Sequence, residues 1–73
     1  MVSSSPAIVS HPGILGGVPV FSGTRVPLRI LFEYLETGDS LDTFLEEFPS
    51  VSRELAIAAL EQARMAIKYA HTA

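Results

Sequence analysis

Between Ser52 and Ala70 the chain reads SRELAIAALEQARMAIKYA, and no other segment constrains its architecture as strongly. Neither proline nor glycine interrupts it, and it is rich in alanine, the strongest helix former. Ser50 or Ser52 can supply the N-cap, and Glu54 suits the positive end of the helix dipole. A helix over residues 53–70 is therefore predicted, roughly 27 Å long at about 1.5 Å per residue. At ~100° per residue its apolar side chains run from Met65 and Ala58 through Leu55 and Ala59 to Ile67 and Leu60. They span roughly 220°, broken only by Gln62. Packing one face on a core needs little more than ~100°. Two arrangements accommodate the excess: a central helix buried on most sides, or one face on the core and another against a second chain. The second is preferred, because the rest of the chain offers only two short helices. The distal half, Met65 to Tyr69, most needs cover, which makes Leu60, Met65, Ile67 and Tyr69 the candidate dimer or partner interface.

The remaining arc of this helix carries Arg53, Arg64, Lys68 and His71, with Glu54 and Glu61 at its edge and Ile57 as an apolar misfit. Such a stripe is either an ordinary solvated face or a weak basic surface for phosphate or an acidic partner. With Ser52 at the helix start and Arg25 upstream, Arg53, Arg64 and Lys68 form the candidate DNA- or partner-binding set.

Working back from Ser52, Pro49 ends a short amphipathic helix over about 41–47. Leu41, Phe44, Leu45 and Phe48 form its apolar stripe, and Asp39 or Ser40 caps it. Gly38 stops an earlier helix over about 28–37, where Leu28, Ile30, Leu31, Phe32, Tyr34 and Leu35 fill one side and Arg29, Glu33, Glu36 and Thr37 the other. Pro27 sits at the start of that helix, a position that tolerates proline. A hairpin is expected over about 18–26, with Val18 to Phe21 as one strand, a Ser22-Gly23 turn, and Thr24 to Val26 as the return. Pro19 confines the first strand to an edge or a strand start. Residues 1–7 read as a mobile tail. The expected fold is mainly α: a short N-terminal β-hairpin, then three helices in one small domain over residues 8–73.

The 73-residue length limits what this domain can be. A chain this short buries roughly 60% of the surface its unfolded form exposes, and its core is often worth no more than about 3–5 kcal/mol. Disulfides and thiolate metal sites are excluded, since there is no cysteine. His11 and His71, at opposite ends, do not make a zinc site. Self-association is the remedy left, and a hydrophobic content of 48% with mean hydropathy +0.35 points the same way. No apolar run approaches the ~20 residues of a membrane span, and the N-terminus lacks the basic-then-apolar pattern of a secretory signal. A cytoplasmic protein without membrane partners is expected. A net charge of -3 argues against a strong nonspecific grip on DNA.

Catalytic patterns are missing as well. The serines lie in loops, tails and caps, neither histidine has a triad-like context, and the carboxylates fall on solvated helix faces. Gly13, Gly16 and Gly17 fit neither a Walker A nor a dinucleotide fingerprint and read as turns. No enzyme, cofactor or metal is expected.

One longer pattern is distinctive. His11-Pro12-Gly13-Ile14-Leu15-Gly16-Gly17-Val18-Pro19-Val20 leads into Phe21-Ser22-Gly23-Thr24-Arg25-Val26-Pro27. Then come a helix, Gly38, a short helix ending Glu47-Phe48-Pro49, and Ser52-Arg53-Glu54-Leu55. This closely resembles the domain of unknown function 433 family over about residues 8–63. The resemblance implies a helix-turn-helix-like domain and an antitoxin-like role in a bacterial toxin–antitoxin pair. Such a protein would bind a cognate toxin, often a nuclease, and form a homodimer. The alternative is a DNA-binding regulator of its own operon. For the latter, the third helix offers Ser52 and Arg53 at its exposed start and little else to read base edges. Gly17, Pro19, Gly23, Thr24 and Pro27 match the family motif and fix a turn and a helix start. Arg25 is open to a phosphate or partner contact, or to an ion pair with Glu33 or Glu36.

Overall fold

The computed structural model describes residues 6–70, with side chains as far as residue 67. A two-stranded antiparallel sheet precedes three helices, the expected fold class. The helices are α1 (Leu28–Glu36), α2 (Leu41–Glu47) and α3 (Arg53–Ala70). Their ends follow the local chemistry. Gly38, at φ 91°, takes the left-handed conformation that stops α1. The Ser40 hydroxyl caps α2 by accepting from the Thr43 N–H at 3.1 Å. Ser52, rather than Ser50, caps α3 by accepting from the Leu55 N–H at 3.0 Å.

The sheet corrects the sequence reading. Its strands are β1 (Ile8–Val9) and β2 (Val20–Phe21), in register Ile8 with Phe21 and Val9 with Val20. The expected return strand, Thr24–Val26, does not form. The chain reverses at Ser22-Gly23, as anticipated, and the Thr24 N–H donates to the Phe21 carbonyl at 3.0 Å. The Thr24 hydroxyl then takes over: it donates to the same carbonyl at 2.9 Å and accepts from the Val26 N–H at 3.0 Å. Only one bridge, Val20 with Pro27, joins the returning chain to β2. Its hydrogen bonds run from the Phe21 N–H to the Val26 carbonyl and from the Leu28 N–H to the Pro19 carbonyl, each at 3.0 Å; the next rung is missing because the Val26 N–H goes to the Thr24 hydroxyl. β2 therefore lies between β1 and this bridge, and Ala7, assigned above to a mobile tail, is 8% exposed and part of the core.

That core is built around Phe44, which is fully buried on α2. Its ring lies 5.8 Å from Phe21, 5.6 Å from Tyr34 and 5.0 Å from Phe48, centroid to centroid. Tyr34 also meets Phe48 edge-on at 6.0 Å. One residue thus joins β2, α1 and α2, each ring pair adding about 0.5–1.5 kcal/mol beyond burial. Leu31 of α1, Val51 before α3, and Ala56 and Ala59 of α3 complete the core. No helix among the described residues is long and apolar enough to cross a membrane.

Tyr34 also ties α1 to α2 by donating to the Glu47 carboxylate at 2.8 Å. That bond, followed by desolvation and the charges of Glu47 and Asp39, raises the Tyr34 pKa above its ordinary 10.0. The neutral phenol is the bonded form. Its contribution to stability is complete below the unfolded pKa and is lost as pH rises through the raised folded value.

Phe44→Ala removes the hub and is expected to cost about 3–5 kcal/mol, as large as the whole core contribution of a domain this size. Circular dichroism should show a largely unfolded chain; a cooperative transition near that of the parent would refute the hub role. In an alkaline absorbance titration Tyr34 should ionise later than free tyrosine, and Glu47→Gln should bring its midpoint down. An unmoved midpoint would mean that the hydrogen bond is not made in solution.

Candidate functional site

α3 rests on the core through its small side chains. Ala56 and Ala59 are fully buried, and their size lets the helix lie close to β2. Leu55 and Leu60 pack on the core's edge and remain half-buried. One turn on, Gln62, which sequence reading treated as a break in the apolar arc, has a definite task. Its Oε1 accepts from the Ala7 N–H at 2.9 Å and the Ile8 N–H at 3.2 Å. The side chain satisfies donors on the open edge of β1, where a free strand edge invites unwanted pairing. The signal for this was an amide side chain alone in an apolar arc; its partners, more than fifty positions away, had no signal.

Beyond Gln62 little among the described residues covers the helix. Met65 is 37% exposed and Ile67 68%, and Ile57, on the solvent side, is 47% exposed. Among the described residues these apolar side chains of the arc stay open. The expected interface nevertheless divides in two. Leu60 and Ile67, seven residues apart, share a face with Ile57. Met65 is two residues from Ile67 and so lies on nearly the opposite side. The side chains of Tyr69 and Lys68 lie outside the described residues, as does His71.

The expected basic stripe is largely paired. Arg53 forms an ion pair with Asp42 of α2, and Arg64 meets Glu61 at 2.8 Å. Both pairs are exposed, so each contributes at most about 1 kcal/mol to stability. Their electrostatic effect is larger, because a carboxylate beside each guanidinium reduces its pull on phosphate. The hydroxyl of Ser52 is engaged in the N-cap. Arg25 sits elsewhere, at the turn after β2. Glu33, one of its suggested partners, instead pairs with Arg29 at 3.1 Å. Among the described residues no ion pair includes Arg25, and it lines a groove with His11, Thr24 and Ser50. Ser50, two residues before the Ser52 cap of α3, lines the same groove as Arg25, whereas Arg53 and Arg64 each hold a carboxylate of their own.

A family model and a solved structure point to the same family. The family model described as "Protein of unknown function (DUF433)" matches residues 8–63. The chain is 37% identical over 54 residues to the uncharacterized protein y4eO of Sinorhizobium fredii (strain NBRC 101917 / NGR234). That match covers 74% of this chain and 24% of y4eO, so the chain spans about a quarter of that relative. A crystal structure of a DUF433 member from Anabaena variabilis ATCC 29413 superposes with a TM-score of 0.72 at 25% identity, covering 88% of this chain and 63% of the other.

Gln62→Ala should leave the domain folded while loosening β1, at a cost of about 0.5–1.5 kcal/mol. Native-state amide exchange at Ser22, whose N–H donates to the Ala7 carbonyl at 2.8 Å, is the readout. It should quicken about three- to tenfold, and unchanged exchange would show that Gln62 does not hold the strand.

Proposed function

The chain belongs to the DUF433 family of proteins of unknown function, and we propose that this member is a non-catalytic protein-binding module that self-associates through α3 and acts as the antitoxin-like partner of a toxin protein. The observation that carries the reading is the open apolar face of α3. Ile57, Leu60 and Ile67 stand three and seven residues apart, the spacing with which paired helices form an apolar seam. A domain with a core this small gains stability from covering such a seam, since each buried isoleucine or leucine contributes about 1.5–3 kcal/mol. Arg64 falls within the same stripe, and its ion pair with Glu61 reduces the cost of bringing it near a second copy. The toxin as the second partner follows from the family resemblance and from the surface that self-association leaves free.

A DNA-binding regulator is the second reading, favoured by the α2–turn–α3 arrangement. The carboxylates on Arg53 and Arg64 and the engaged Ser52 hydroxyl weigh against it. Binding of the chain to its own promoter region, falling steeply with salt and lost in Arg53→Ala, would reverse this order.

Sedimentation at low micromolar concentration should give a dimer for the parent chain. Ile67→Glu, at a side chain with no part in the core, should weaken that dimer by at least about tenfold while the circular dichroism is retained. A monomeric parent chain would sink the self-association claim. Co-purification with the product of the neighbouring gene tests the toxin half.

A further inference from the structure

The groove beside the β2 turn is a separate candidate for partner binding. It is an open groove of about 630 Å³, within the range of ligand-sized clefts. Val9, Ile14 and Val26 supply its apolar lining, Gly23 and Thr24 its turn, and Arg25, His11 and Ser50 its remaining polar groups. No aspartate or glutamate lines it, in a chain with eight acids against five lysines and arginines. The other three arginines each have a carboxylate. Arg25 is thus the described guanidinium left without one, in a cleft of mostly apolar lining. The backbone beneath it is held by the paired hydrogen bonds of the Thr24 hydroxyl, so the cleft needs little ordering when it binds.

We infer that this groove receives an extended segment of another protein, with one carboxylate side chain on Arg25 and a neighbouring apolar side chain against Val9, Ile14 and Val26. Charge complementarity selects this occupant. A guanidinium matches a carboxylate through two parallel N–H···O bonds. A nucleic-acid backbone presents a row of phosphates and calls for several cations, whereas this groove has one guanidinium and one imidazole. The inference rests on the reading of the chain as a protein-binding module. It is independent of the α3 seam, and it gives the second partner a recognition site of its own.

The test uses the full chain, isotopically labelled and followed by its amide resonances, with three probes. These are a terminally blocked leucine–glutamate–leucine tripeptide, its leucine–glutamine–leucine analogue, and inorganic phosphate. The glutamate peptide should shift Gly23, Thr24, Arg25 and Val26 with millimolar affinity. The glutamine analogue, or the glutamate peptide added to Arg25→Gln, should bind at least about tenfold more weakly. Arg25 is exposed, so the substitution should leave the remaining resonances in place. Equal binding of both peptides, phosphate binding as tight as the glutamate peptide, or no shifts at these residues would each overturn the inference. Sedimentation of Arg25→Gln and peptide binding by Ile67→Glu keep the two readings apart, since neither substitution touches the other surface.

Discussion

The contact between the Phe44 ring and its three aromatic neighbours organises this small domain. α1 and α2 are short, and β1 and β2 have two residues each, so none of these elements is stable alone. Phe44 lets them share one buried centre. Phe21 fixes the sheet on it, Tyr34 and Phe48 close around it, and the Tyr34–Glu47 hydrogen bond holds the two helices in register at the rim.

The same economy explains α3. A helix of 18 residues lies on a core that its first half already spans. Alanines at the contact bring it close to the sheet, and Gln62 makes the last long-range tie, to Ala7 and Ile8. Past that point Met65 and Ile67 are exposed among the described residues. The exposed isoleucines and methionine are a consequence of geometry: the helix is longer than the domain that carries it.

Charge divides the surface in a complementary way. Salt bridges draw Arg29, Arg53 and Arg64 into local pairs and leave the groove beside the turn as the place where an arginine meets no described carboxylate.

Local chemistry, which the sequence carries directly, determined the helices. The glycine at 38, the serines at 40 and 52, the proline at 49 and the spacing of apolar side chains act within a few residues of themselves, and the helix limits followed from them closely. The excess apolar surface of α3 was legible for the same reason, since periodicity counts side chains whatever covers them. Pairings between distant residues were not legible. Ile8–Val9 pairs with one edge of β2, while on the other edge Thr24–Val26 forms no strand, because the Thr24 hydroxyl takes the Val26 N–H that a ladder would give to Phe21. The Asp42 that neutralises Arg53 and the Ala7 that meets Gln62 lie many residues away along the chain, brought together by the packing around Phe44. Sequence fixes which groups are available; their partners depend on distance in space, and that only the tertiary structure decided.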